Sequence, residues 1–183
     1  MISIPRRRLV IAAGALPLFP AIVFAQTPSC GKPTAPQTAG PFFKPSSPLR
    51  SSLIEQSSSG KKLLVAGQVL DRNCKAVQGA VLDFWHADEE GEYDNKGFRY
   101  RGHQVSDAQG RYRLETIVPA EYPGRARHMH VNVAVPGRRI LTTQLYFPAS
   151  FGHHRDGLYQ SALEIRIPKE KENQGTFDFV VDA

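Results

Sequence analysis

Downstream of Gly60 the apolar positions recur with a period of two, and no segment sustains an apolar 3.6-residue period for three turns. Alternation predicts strands over Leu63–Leu70, Ala80–His86, Tyr112–Thr116, His128–Val135, Thr142–Phe147, Leu163–Ile167 and Phe177–Val181. Turn chemistry separates them: Asp71-Arg72-Asn73, Asp94-Asn95-Lys96-Gly97, Asp107-Ala108-Gln109-Gly110, Pro136-Gly137 and Asn173-Gln174-Gly175. Short strands at this spacing predict an all-β fold, an antiparallel β-sandwich over residues 61–183 whose long end loops are free to carry chemistry. Residues 26–60 are rich in Ser, Pro, Thr and Gly and show neither period, which predicts an extended arm with little core of its own.

Composition narrows the class without changing this picture. The 183 residues suit one domain, and 41 % hydrophobic with 22 % charged residues excludes disordered and coiled-coil chains. Gly 15 and Pro 14 fit a chain of many turns.

Charge changes it more. The formal net charge is +6, but Arg6, Arg7 and Arg8 sit in an N-terminal segment, residues 1–25, that contains no acid. The apolar run Leu9–Ala25, 17 residues broken by Pro17 and Pro20, is short for a membrane span, and Val23-Phe24-Ala25 supplies small residues ahead of Gln26. Residues 1–25 are therefore expected to be a twin-arginine-like signal peptide cleaved after Ala25, with an uncleaved anchor as the alternative. The expected location is exported, periplasmic or secreted. Beyond that segment no basic run remains, which removes nucleic acid as a partner, and no membrane contact beyond the export signal is expected. The two cysteines, Cys30 and Cys74, are most simply a disulfide in an oxidising compartment; two buried thiols are the alternative.

His128-Met129-His130 lies in a strand where alternation puts His128, His130, Asn132 and Ala134 on one face and Met129, Val131, Val133 and Val135 on the other. The second face is core-directed, and the first offers two imidazoles to a metal ion. A facial iron(II) triad would want a carboxylate between or soon after these histidines, and zinc hydrolysis a third His or a Glu. Neither is present at useful spacing. His153-His154 fall in a Gly-flanked segment that reads as a solvated loop. Tyr93 and Tyr122 stand in turn-rich segments and are ligands of another kind, because a phenol of free pKa about 10 ionises at neutral pH only beside a hard, highly charged cation.

In order along the chain, Thr34–Phe43, Gly79–Asp88, Gly91-Glu92-Tyr93, Phe98–Gly102, Asp107–Tyr112, Thr116–Pro119, His128-Met129-His130 and Leu141–Phe147 resemble the intradiol ring-cleavage dioxygenases, the family of protocatechuate and catechol dioxygenases. The resemblance implies a non-haem iron(III) enzyme, Fe(III) being its cofactor. It opens catechol-type rings between the two hydroxylated carbons with O2 to give muconate-type diacids. It places metal ligands on Tyr93, Tyr122, His128 and His130, with Tyr122 and His130 axial, and puts the pocket residues on Arg125 and Gln144. Tyr122, released from the metal when substrate binds, is then a proton acceptor, and Arg125 stabilises charge on the ring. The implied partners are a small-molecule catechol and O2, and the sequence is compatible with a homo-oligomer.

The sequence departs from the family in four places. Ala39 stands where an acid is usual, Arg127 replaces a small residue, and the helical N-terminal segment through which catechol-type members dimerise is absent. Only five residues separate Tyr122 from His128, a short wall that predicts a shallow pocket and a broad range of substituted catechols. Two other classes compete with this reading: a secreted β-sandwich binding module without turnover, and a periplasmic copper or zinc protein using the two histidines.

Overall fold

In the computed structural model, which describes residues 30–148 and 150–182, alternation resolves into strands β1 (Lys62–Asp71), β2 (Val81–Trp85), β3 (Arg101–Val105), β4 (Arg111–Ile117), β5 (His128–Ala134), β6 (Leu141–Tyr146), β7 (Gln174–Thr176) and β8 (Phe179–Val181). One sheet has the order β4-β1-β7 with β8 also paired to β1, and the other the order β3-β2-β5-β6. Pairing is antiparallel except where β7 and β8 run parallel to β1. Leu63, Val65 and Val69 of β1, Leu114 of β4, Leu82 and Phe84 of β2, and Met129, Val131 and Val133 of β5 belong to one buried core. Each such side chain contributes about 1.5–3 kcal/mol on leaving water. The all-β sandwich is the expected fold. The segment read as a signal peptide lies outside the described residues.

Two expectations need correction. Leu163–Ile167 forms no strand: Ser161–Leu163 is a 3-10 turn, and single bridges, Tyr146 to Glu164 and Arg166 to Thr176, follow it. Leu163 and Ile165 are nonetheless buried, so the period-two pattern there records an extended segment packed on the core without a ladder of its own. Of the turn read at Asn173-Gln174-Gly175, only Asn173 lies in a turn, and Gln174 and Gly175 open β7. Strand β3 was not anticipated because Arg101, Gly102, His103 and Gln104 offer no apolar alternation.

The arm is extended, as its composition suggests, yet Leu53 is fully buried in the domain core. A Cys30–Cys74 disulfide ties its start to the turn after β1. The Thr34 amide donates to Val180 O (2.9 Å) and the Gln37 amide to Thr142 O (2.8 Å), while the His103 amide donates to Pro48 O (2.9 Å) and the Leu53 amide to Glu115 O (2.8 Å). The arm thus bonds to strands β8, β6, β3 and β4 and covers sheet edges that would otherwise present unpaired backbone groups.

The second sheet carries one row of polar and aromatic residues straight across it: Arg101 opposite Trp85, Trp85 opposite His130, His130 opposite Gln144. This is the face away from the core, where alternation alone would leave polar groups in water. It is nevertheless buried, with Arg101 2 %, Trp85 1 %, His130 1 % and Gln144 0 % exposed.

Candidate metal centre

The loop carrying Tyr93 is folded by two aspartates. Asp88 Oδ1 accepts from the amides of Glu90 (3.0 Å) and Glu92 (2.9 Å), and Asp94 accepts from the amides of Lys96, Gly97 and Arg99 at 2.7–2.9 Å. Those backbone donors, Arg99 first, hold the Asp94 carboxyl below the ordinary carboxylate range. Buried Arg101 locks the loop to the arm, donating from Nε to Asp94 O (3.0 Å) and from Nη1 to Phe42 O (2.6 Å). Phe42 stacks on the Tyr93 ring at 4.5 Å.

Tyr122 and Arg125 are brought together by a tight turn. Pro123 presets the first central position and Gly124, at φ +78°, takes the left-handed second one, so the Arg125 amide donates back to Tyr122 O at 2.9 Å. The two side chains then lie side by side, with Arg125 Nη1 donating to Tyr122 Oη at 3.4 Å. The short connection between Tyr122 and His128 is this turn. It lines, with Glu121, Gly152 and Arg155, a cavity of about 450 Å³ open to solvent.

The donor atoms converge. His128 Nε2 lies 3.5 Å from Tyr93 Oη, 3.3 Å from Tyr122 Oη and 3.2 Å from His130 Nε2. His128 Nδ1 donates to Ala126 O at 2.7 Å, which leaves the Nε2 lone pair facing this cluster. The His130 ring is stacked on Trp85 at 5.0 Å and 3° from parallel. Burial, then the nearby Arg125 charge, lowers the His128 pKa to about 4, and burial with its neighbour His128 pushes His130 well below its usual value, so both rings are neutral at pH 7. Burial and the adjacent Tyr122 raise the Tyr93 phenol well above its ordinary range.

Two phenol hydroxyls and the His130 ring all crowd the single lone pair of His128 Nε2 at 3.2–3.5 Å, and the buried His130 Nδ1 has no hydrogen-bond partner among the described residues, so these groups satisfy one another poorly. They fit a cation instead: metal–donor bonds of about 2.0–2.2 Å at trigonal or right angles set neighbouring donors roughly 2.8–3.8 Å apart. A hard trivalent ion suits the phenols, because it favours the phenolate, and at Tyr93 it offsets the upward push of burial. Among the described residues no three His, Cys, Asp or Glu side chains cluster, so the phenols are what completes the set.

All six residues singled out in the sequence are in or beside this cluster. Gln144 on β6 donates from Nε2 to Thr38 O (2.9 Å) and accepts from Arg125 Nη2 (2.5 Å), so it is a buried network member. His153 and His154 stay outside: His153 stacks on Tyr159 at 4.0 Å and His154 is exposed. The sequence did not point to Arg101, in an unrecognised strand, or to Asp156, in the segment read as solvated. Asp156 is buried and accepts from Arg125 Nε at 3.1 Å. Its Gly-flanked, polar context carries no signal of burial.

The family model described as Dioxygenase (Dioxygenase_C) matches residues 38–182. The chain is 28 % identical over 177 residues to a chlorocatechol 1,2-dioxygenase of Pseudomonas putida, covering 81 % of this chain and 68 % of that protein. It is 32 % identical over 124 residues to the protocatechuate 3,4-dioxygenase beta chain of Burkholderia cepacia, covering 57 % and 52 %. Among solved structures, the dioxygenase domain of a dioxygenase and carbohydrate-binding protein fusion from Streptomyces sp. SirexAA-E superposes with TM-score 0.80 at 49 % identity, over 83 % of this chain and 99 % of that one. The 3-chlorocatechol 1,2-dioxygenase of Rhodococcus opacus 1CP gives TM-score 0.75 at 27 % identity, over 84 % and 73 %. A family match over most of the chain, on a sandwich of the same architecture, places this protein in the intradiol ring-cleavage dioxygenase family.

Proposed function

We propose that the protein is an iron(III) dioxygenase that opens catechol-type rings between their two hydroxylated carbons, with Tyr93, Tyr122, His128 and His130 holding the iron. The convergence of Tyr93 Oη, Tyr122 Oη and His130 Nε2 within 3.2–3.5 Å of His128 Nε2 carries this reading. Ferric iron bound there supplies Lewis acidity and a template for the two adjacent hydroxyls. In the overall reaction catechol and O2 give a muconate-type diacid. The carbon–carbon bond between the hydroxylated carbons breaks, both oxygen atoms enter the product, and the electrons that reduce dioxygen come from the ring.

The protein's own groups divide the remaining work. Tyr122, only half-buried, faces the open cavity, where its oxygen can take a proton from an arriving catechol hydroxyl. Tyr93, behind Phe42 and Arg101, is fixed. The Arg125 guanidinium, held on Gln144 and beside Tyr122, is placed to stabilise negative charge as it grows on the ring. The arm over His130 and Gln144 excludes water from the inner side.

Catechol, a methylcatechol, a chlorocatechol and protocatechuate are the substrates to compare, the last two because relatives carry those names. The open, short-walled cavity supports a broad range. Export through residues 1–25 belongs to the same proposal, and the disulfide suits an oxidising compartment. The test is metal analysis with visible spectroscopy of the purified protein. About one iron(III) per chain and a tyrosinate-to-iron band that shifts or weakens in Tyr122→Phe are expected. A fully iron-loaded, colourless protein would contradict phenolate ligation.

A further inference from the structure

We propose that Asp156 is a positioning residue of this site: it sets the Arg125 guanidinium and, through it, the Tyr122 phenol and the Gln144 amide. The inference rests on the ring-cleavage reading above and adds to it a residue that neither the sequence pattern nor the ligand cluster singles out.

Asp156 lies in the stretch after β6, where its amide donates to Gly152 O at 3.0 Å. That stretch is pressed on the backbone of the Tyr122 turn. A Cβ on Gly152 would lie 2.7 Å from Ala126 Cα, so a larger residue there would push the whole segment away. The Asp156 side chain is 1 % exposed and that of Arg125 is 18 % exposed. Both carboxylate oxygens are in use: Oδ2 accepts from Arg125 Nε at 3.1 Å and from the Ala126 amide at 3.0 Å, and Oδ1 accepts from the Leu158 amide at 2.9 Å.

The other two guanidinium nitrogens face the chemistry. Nη2 donates to Gln144 Oε1 and Nη1 to Tyr122 Oη at 3.4 Å. The planar fork therefore has a partner on each nitrogen, and Asp156 is its one anionic partner among the described residues. Ala126, gripped by Asp156 through its amide, also offers the carbonyl that orients His128. One buried carboxylate thus fixes the pocket cation and the residue that sets a ligand tautomer. Loss of the charge leaves a half-buried guanidinium free to turn out toward the cavity, and a misplacement of about 1 Å costs up to roughly 100-fold in rate.

The test is a double-mutant cycle on the iron-loaded full chain, using catechol as substrate and the visible band as a second readout. Wild type coloured and active is the starting condition; a colourless or inactive wild type overturns the ring-cleavage reading itself, independently of Asp156. From an active wild type, Asp156→Asn is expected to lower kcat roughly 10- to 100-fold with iron content kept. It should move the band to longer wavelength as far as Arg125→Ala does, because in both the Tyr122 oxygen loses a hydrogen-bond donor. In Arg125→Ala, adding Asp156→Asn should move the band no further and should cost much less in kcat than it does alone, the remainder being its hold on the Ala126 amide. Asp156→Glu, which keeps the carboxylate, should recover part of the rate and of the shift, and where the Asn variant does not fold the same cycle is run with Glu. Independent, multiplying losses in the double variant, or an unmoved band in an iron-loaded Asp156 variant, overturn the proposal.

Discussion

Trp85 and His130 sit directly opposite one another on β2 and β5 with their rings 5.0 Å apart and 3° from parallel, so the indole plane fixes the imidazole plane. Phe43 of the arm packs against the same indole, its ring 5.0 Å away and tilted by 59°. The donor cluster is thereby backed by aromatic packing that reaches from the arm to the sheet, and its geometry depends on that packing as well as on the donors themselves.

Replacing Trp85 should show this. Trp85→Ala removes a fully buried indole, at a cost of about 3–5 kcal/mol in stability, and frees His130 to rotate. The expected outcome in urea unfolding and metal analysis is a large loss of stability with iron occupancy well below one per chain, while Trp85→Phe retains most of both. Full iron occupancy in a folded Trp85→Ala variant would show that the stack does not orient the ligand.

On the proposed function, Arg125 acts on charge that develops on the ring whatever substituent the ring carries. Arg125→Ala should lower kcat/KM by a similar factor for catechol, a methylcatechol and protocatechuate, on the order of 100-fold for loss of one charge-stabilising group. Steady-state oxygen uptake on the three substrates is the measurement. A loss confined to protocatechuate would mark Arg125 as a carboxylate anchor.

His86 gives the fold an acid-sensitive joint. Its Nδ1 donates to Ala87 O and its Nε2 accepts from Thr116 Oγ1, both at 2.6 Å, so the end of β2 is tied to β4 of the other sheet by a neutral ring. Burial holds its pKa at about 4 against an ordinary 6.5. The unfolded chain therefore binds the proton first, and stability is full above pH 6.5 and falls as the pH drops from 6.5 to 4. The loss from this residue is about 3 kcal/mol. Urea unfolding from pH 7 to pH 4 should show that decline, reduced by a similar amount in His86→Gln; an identical decline in the variant would assign it elsewhere.

How far the sequence speaks for itself differs by residue. His128 and His130 were legible because a strand's two-residue period puts them on one face, and that face is where they lie. The inward row Met129, Val131, Val133 was legible for the same reason. Tyr93 and Tyr122 stand in loops with no period: phenol chemistry made them candidates and family resemblance assigned them as ligands; the turn chemistry of Pro123 and Gly124 explains afterwards why Tyr122 meets Arg125. Strand β3 was invisible because its core-facing positions are Gly102 and Gln104, with no apolar side chain to mark the period, while Arg101 and His103 on the other face are covered by the arm, a tertiary effect that local pattern cannot register. Leu163–Ile167 erred the other way, since alternation reports burial on one side and not ladder hydrogen bonds. Asp156 needed both the close approach at Gly152 and the reach of Arg125, neither of which is encoded in its neighbours.

The most direct measurement of the central claim is oxygen uptake by the iron-loaded protein with catechol under labelled dioxygen, followed by the mass of the product. One O2 consumed per catechol, with both labelled atoms in a six-carbon diacid, is the predicted result. No uptake across the catechol panel by coloured, iron-loaded protein, or a product cleaved beside the hydroxyl pair instead of between the two hydroxylated carbons, would contradict it.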